Sequence, residues 1–253
     1  MQLTDMTWAA VQELSKDTPV VIPIAALEQH GKHMPLFTDS MLLGEVMRRS
    51  SERLADKVLF APLMWLGNSD HHMDFPGTLS ASPRLYLGLL DNLLENFITH
   101  GFRRLVLVNG HGGNIVPSSQ AVFEVRQRHR HRSDLLLMAT TYWTLGGKPY
   151  EVNTDLEQRR MGHACEWETS MMLRIAPHLV GDLTKVEPVP MEQIFPQASL
   201  GWITKDRSLV GHIGDARHAT AEKGETLFSV FTDDVVQFLQ SVVTWKPDRH
   251  NAK

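Results

Sequence analysis

Cysteine is almost absent. A single one, Cys165, in 253 residues excludes an internal disulfide and matches a reducing compartment. No stretch approaches the roughly 20 uninterrupted apolar residues that a membrane helix needs. The opening residues Met1-Gln2-Leu3-Thr4-Asp5 lack a basic segment leading into an apolar one, so the expected location is the cytoplasm, with no membrane partner. Positive charge is not in excess either. Against 29 Asp and Glu stand 25 Lys and Arg, a balance of −4 that excludes a generally basic nucleic-acid binder. The glycines at 110, 112 and 113 lack the Gly-Lys-Ser/Thr ending of a phosphate loop and the spacing of a dinucleotide fingerprint. Internal repeats, low-complexity tracts and Ser/Gly linkers are missing, so residues 1–253 are expected to form one domain. What the chain does have is histidine: 13, more than its 10 Phe or its 3 Tyr.

Short apolar runs alternate with helical patterns. Val20 to Leu27, Val58 to Leu66, Leu105 to Val108 and Leu135 to Thr141 read as strands. Pro23 in the first argues for an edge position or a bulge, since proline cannot donate to a ladder. Thr38-Asp39-Ser40 reads as the cap of an amphipathic helix with Met41, Leu42, Val46 and Met47 on its apolar face. Ser82-Pro83 opens another, carrying Leu85, Leu89, Leu93 and Ile98, and Gly101 stops it. Helices are further expected from about Pro117 to Arg130, Cys165 to Ile175 and Ala221 to Val243. This alternation predicts an α/β fold: a mostly parallel sheet with helices on both faces. The basic run Arg126 to Arg132 reads as a solvated helix end, favoured at a helix C-terminus. The Pro- and Gly-rich span 181–218 suits either a lid or a subunit interface.

Each strand is followed by polar groups that would be out of place in a core. Glu28-Gln29-His30-Gly31 and Thr38-Asp39 follow the first, and Gly67-Asn68-Ser69-Asp70-His71-His72 the second. Asn109-Gly110-His111-Gly112-Gly113-Asn114 follows the third, and Tyr142-Trp143 the fourth. Ligands of open α/β sheets bind outside the carboxyl ends of strands, so these clusters can converge on one site. Glu28, His30, Asp39 and His111 are carboxylates and imidazoles, donors that suit Zn²⁺, Mn²⁺ or Fe²⁺. Glu28 and His30 share a side of an extended chain, and Asp39 can bridge two ions. His163 and Glu166, three apart at an expected helix start, share a face with Glu168 turned away from Glu166, so the expected fifth donor is Glu166, with Glu168 the alternative. His163 and Glu166 are the expected catalytic residues. Ser69, His72, Gly112, Gly113 and Trp143 are expected to bind substrate, the glycines by backbone amides offered to an oxyanion. Taken singly, His33, His71, His72 and His178 read as structural, Trp167 as a core aromatic and Cys165 as a buried small hydrophobe.

The segments Ile24 to Gly31, Leu36 to Asp39, Phe75 to Thr78, Leu107 to Asn114, Gly162 to Ser170 and Ala219 to Glu225 resemble the creatininase (creatinine amidohydrolase) family, in order and over most of the chain. The resemblance implies a cytoplasmic, metal-dependent amide hydrolase, commonly hexameric, with two metal ions. It implies that Glu28 and His111 hold one ion, His30 the other and Asp39 both, while His163 shuttles protons. Two departures stand out. Creatininase carries a glutamate ligand where this chain has Gly113, and Glu166 is the expected replacement. Creatininase also has a Trp-Asp pair that helps close on creatinine, where this chain has Arg159-Arg160. Creatinine is therefore not the expected substrate; adjacent arginines suit a carboxylate or phosphate, or are solvated charges.

The function expected is hydrolysis of a non-peptide or cyclic amide C–N bond in a small molecule, using water activated at a binuclear site. Zinc is the expected metal, with manganese or iron as alternatives, and the chain is expected to be a homohexamer by resemblance. Alternatives are a formamide deformylase of a nucleotide-like substrate, a single-zinc hydrolase, or a non-catalytic metal-binding oligomer of the same fold.

Overall fold

The computed structural model describes residues 1–192, 195 and 197–247. Its elements run α1 Trp8–Glu13, β1 Val20–Ile24, α2 Thr38–Leu54, β2 Leu59–Phe60, α3 Pro83–Thr99, β3 Arg104–Asn109, α4 Ile115–Arg128, β4 Leu136–Thr141, α5 Pro149–Val152, α6 Glu166–Ile175, α7 Thr204–Arg207 and α8 Ala221–Thr244, with short 3-10 turns between them. The strands form a parallel sheet in the order β2-β1-β3-β4. Period two then divides each strand between two cores. Val20, Ile22, Ile24, Leu105 and Leu107 pack with Tyr86, Leu90 and Leu94 of α3 and Ala121 and Val125 of α4. Val21, Val106 and Val108 pack on the opposite face with residues of α2, α6 and α8. The expected α/β architecture is thus the one observed, and burial of both sheet faces explains why β1 and β3 read as unbroken apolar runs.

Several local expectations shift. Pro23 does not mark an edge, because β1 has a neighbour on each side. The bulge alternative fits: Val21 O accepts from Ala61 N and Pro23 O from Met64 N, so two residues of β1 face three of the neighbouring segment. That slip, next to Pro62, ends β2 at Phe60 rather than Leu66. In α3 the buried stripe is Tyr86, Leu90, Leu94 and Ile98: Ile98 is as expected, the other three lie one residue on from Leu85, Leu89 and Leu93, and Leu85 is exposed. Thr38 does not cap α2 but lies inside it, with Phe37 at the N-cap. Its hydroxyl donates to Pro35 O, that of Ser40 donates to Ala26 O, and the Asp39 carboxylate points into the candidate site. The basic run at the end of α4 is tied to α3, Arg128 to Asp91 and His129 to Glu95.

The topology leaves one place where connections diverge. From β1 the chain crosses to β2 on one side, and from β3 to β4 on the other. The crevice between the carboxyl ends of β1 and β3 is the switch point at which open α/β sheets bind ligands.

Candidate active site

Glu28, Gln29 and His30 leave β1 into that crevice, and all are buried. Glu28 N donates to Leu36 O at 2.9 Å, and Gly31, at φ +64, turns the chain back so that α2 can present Asp39 in its first turn. At the end of β3, Asn109 accepts from His111 N at 2.9 Å through Oδ1 and donates to His111 O and Thr141 Oγ1 through Nδ2, which fixes His111 over the crevice.

The backbone selects the tautomers. His111 Nε2 donates to Asn68 O at 2.9 Å and His30 Nδ1 to Glu28 O at 3.1 Å, which turns the other nitrogen of each ring towards the carboxylates. His111 Nδ1 lies 3.3 Å from Glu28 Oε1 and 3.1 Å from Asp39 Oδ2. His30 Nε2 lies 3.1 Å from Asp39 Oδ1 and 3.9 Å from Glu168 Oε1. Asp39 therefore gives one oxygen to each histidine. His72 Nε2 adds a contact to Glu28 Oε1 at 3.2 Å, and His163 Nδ1 stands 3.7 Å from the same atom. Glu28, His30 and Asp39 each bring a ligand atom within 4.8 Å of the others, as do His30, His163 and Glu168, and Glu28, His71 and His111.

Electrostatically the cluster is a cation site. Glu28, Asp39 and Glu168 are all buried, and no hydrogen bond reaches Glu28 Oε2 or Asp39 Oδ2. Burial alone would lower His30, but Asp39, Glu168 and Glu28 raise it to about 9. Burial likewise opposes protonation of His111, yet Glu28 and Asp39 push it well above the ordinary imidazole value. Burial would raise Glu28, and the His111 and His72 rings hold it well below the carboxylate range. Burial raises Glu168 to about 7 against the pull of His30. Divalent ions would satisfy the two orphaned oxygens and replace the protons that this field otherwise draws onto the imidazoles. The residues present therefore fit a metal.

The expected fifth donor is elsewhere. Helix α6 begins at Glu166, one residue after the expected Cys165, and the helical path does not reach back to His163 because Ala164 adopts φ +50, a left-handed conformation that costs a non-glycine residue about 1–3 kcal/mol. Both sides of Ala164 are held: its N–H donates to Glu168 Oε2 and its carbonyl accepts from His33 Nε2. The kink breaks the shared face of His163 and Glu166. Glu166 points to α8, where it accepts from Lys223 Nζ at 2.6 Å and from the backbone N–H groups of Glu157 and Gln158. Glu168, expected to face away, joins the cluster. Gly113 has no room for a side chain, since a Cβ there would meet Asn68 O at 2.1 Å and His111 Nε2 at 2.5 Å.

A cavity of about 720 Å³ opens over the cluster. Among residues expected to bind substrate, His72, Gly112, Gly113 and Trp143 line it. Ser69 does not: it is fully buried, with its hydroxyl 3.4 Å from His111 Nε2. His71, Trp202 and Arg207 also line the cavity and were not singled out as substrate contacts; the 181–218 span that carries the last two has no periodicity to place them. Within that span, residues 193, 194 and 196 lie outside the described residues. Cys165 is buried and its thiol is pushed up to about 12 by burial, which leaves it inert.

The family model of creatininase, creatinine amidohydrolase, matches residues 4–239. The chain belongs to the creatininase family. Creatinine amidohydrolase of Pseudomonas putida is 28% identical, over 93% of this chain and 95% of its own. The mycofactocin precursor peptide peptidase of Mycobacterium tuberculosis (strain ATCC 25618 / H37Rv) is 30% identical, over 94% of this chain and 90% of its own. A crystal structure of creatinine amidohydrolase superposes with a TM-score of 0.83 at 26% identity, covering 97% of this chain and 98% of that one. Similar structures include a creatininase mutant of Zn-Zn type and a Mn creatininase, each with a TM-score of 0.82 at 26% identity, covering 96% of this chain and 98% and 99% of theirs. Membership in the creatininase family makes this chain a metal-dependent amidohydrolase, with its donor cluster at the sheet switch point.

Proposed function

We propose that the chain hydrolyses the C–N bond of a non-peptide or cyclic amide, with two divalent ions, zinc foremost. Glu28, Asp39 and His111 would hold one ion, and Asp39, His30 and Glu168 the other. The observation that carries this is the divided carboxylate of Asp39, 3.1 Å from His30 Nε2 through one oxygen and 3.1 Å from His111 Nδ1 through the other. Bound divalent ions lower the pKa of water and polarise a carbonyl oxygen. The chain supplies the proton handling. His163 Nε2 donates to Gln29 O at 2.8 Å, so Nδ1 faces the cluster with its lone pair free. Burial and the neighbouring His30 and His72 push the ring well below its ordinary pKa, which keeps it neutral, and the placement of Nδ1 at the cluster suits it to relay a proton to the leaving nitrogen. Gly112 has open space where a side chain would stand, leaving its backbone open to the reacting carbonyl. Trp143 and His72 shape a cavity suited to a small molecule.

A cytoplasmic homohexamer is part of this reading, and light scattering after size-exclusion chromatography tests its assembly. Metal analysis tests its chemistry: about two divalent ions per chain are expected, with release of amine or ammonia from a panel of amides and formamides. A chain that carries no metal and takes up none on titration overturns the reading. Hydrolysis of an amide bond in a peptide is the second reading, favoured by 30% identity to the mycofactocin precursor peptide peptidases.

A further inference from the structure

Two guanidinium groups in the cavity have no part in the proton and donor chemistry above. Arg160, three residues before His163, and Arg207, at the end of α7, line the same cavity as Glu28, Asp39 and His111. Many arginines elsewhere hold carboxylates, as Arg49 and Arg174 hold Glu225 and Arg132 holds Asp134, and of those that do not, Arg126 and Arg130 cap carbonyls at the end of α4 and Arg159 lies over Tyr150. Among the described residues neither Arg160 nor Arg207 has a carboxylate partner. Arg160 donates to the carbonyl of Met191. Arg207 lies 5.0 Å over the ring of Trp202. Burial, with the charge of Arg160 adding to it, pushes Arg207 below its ordinary value.

Their position relative to the donors follows from ring contacts. Trp202 meets His71 edge-on at 5.2 Å, and His71 stacks on His111 at 5.7 Å. Arg207 is thus linked to the donor cluster through two intervening rings that form one wall of the cavity. Two cations lining one cavity draw an anion to it, and the planar guanidinium fork matches carboxylate and phosphate oxygens.

We propose that Arg160 and Arg207 bind an anionic oxygen group on the substrate, a carboxylate or a phosphomonoester, so that the substrate class is an anionic amide whose body lies along Trp202. This rests on the amide-hydrolase reading above, and the test separates the two. N-formylphenylalanine and its C-terminal amide form one matched pair, and N-formyl-O-phosphotyrosine amide and N-formyltyrosine amide the other. Calorimetric binding to the metal-loaded protein should favour at least one anionic member over its neutral partner by about ten- to a hundredfold, and the preferred pair tells carboxylate from phosphate. The gap should close in Arg160→Met and Arg207→Met and persist in part in Arg207→Lys, which keeps the charge over Trp202; thermal unfolding identifies any variant that fails to fold. Equal binding of charged and neutral partners, or a gap surviving the double Met variant, overturns the inference. Hydrolysis is followed in the same samples. Charge-dependent binding without hydrolysis supports the arginine site and overturns the amide-hydrolase reading, whereas hydrolysis without charge preference overturns the arginine site alone.

Discussion

Glu166 and Glu168 stand two residues apart in the first turn of α6, both buried, and their surroundings differ in kind. On the α8 side, Glu166 is satisfied entirely by its own chain, through Lys223 Nζ and the N–H groups of Glu157 and Gln158. On the sheet side, Glu168 holds the N–H of Ala164 through one oxygen and leaves the other 3.9 Å from His30 Nε2, within a cluster where Glu28 and Asp39 each have an orphaned oxygen. A buried carboxylate whose partners are complete holds the fold together. One whose partners are incomplete is arranged for something the chain does not itself supply.

The sharpest way to break this comparison is to neutralise each carboxylate in turn. Glu168→Gln should lower bound metal from about two ions per chain to about one and cost several kcal/mol of transition-state stabilisation, at least about a hundredfold in turnover. Metal analysis and kinetics on the same preparation check it. Unchanged metal content would remove Glu168 from the ligand set. Glu166→Ala should do the opposite. It leaves the Lys223 ammonium buried and unpaired, at a cost of about 3–5 kcal/mol in chemical denaturation, while each folded chain keeps its metal. Loss of metal from folded Glu166→Ala would return Glu166 to the site.

The sequence carried the layered α/β order, the place of all four strands though not the length of the second, and the meeting of Glu28, His30, Asp39 and His111 in one crevice, because each of these follows from a short-range pattern: period two, a polar cluster after an apolar run, a helix start. What it did not carry is the choice between Glu166 and Glu168. Continuing a helix back to His163 puts Glu166 beside it, and only the left-handed Ala164 cancels that face. Nothing in Gly162-His163-Ala164-Cys165 marks the kink, since the residue with positive φ is alanine rather than glycine or asparagine. Lys223 was equally hidden. Its role depends on α6 and α8 packing closely at Gly224, where a Cβ would meet Ser170 O at 2.1 Å, a contact between residues over fifty positions apart.

A double replacement sharpens the comparison further. Glu166→Gln with Lys223→Met removes both charges and leaves an acceptor for one backbone N–H, so most of the loss seen in Glu166→Ala should be recovered, to within about 1–2 kcal/mol of the parent. A double variant as unstable as the single one would mean that the two N–H bonds to the 157–158 turn, rather than the ion pair, make Glu166 indispensable.

The smallest effect comes from a third carboxylate whose partners are also complete, but in water. Glu225 accepts from Arg49 at 2.7 and 3.0 Å and from Arg174 at 2.7 Å, and those bonds, Arg49's foremost, lower it from 4.5 to about 2 against the opposing effect of burial. A folded-state pKa below the unfolded one stabilises the fold above the unfolded value and loses that contribution as pH falls through the folded one. The contribution is therefore complete above about pH 4.5 and lost between there and about pH 2. Because Glu225 is 45% exposed, screening holds it to about 1 kcal/mol or less. The difference in unfolding free energy between the parent and Glu225→Gln, followed from pH 6 to the acid limit, isolates it from every other carboxylate; a difference that does not shrink on acidification would show that the arginines tie α2 and α6 to α8 by packing and hydrogen bonding rather than by charge.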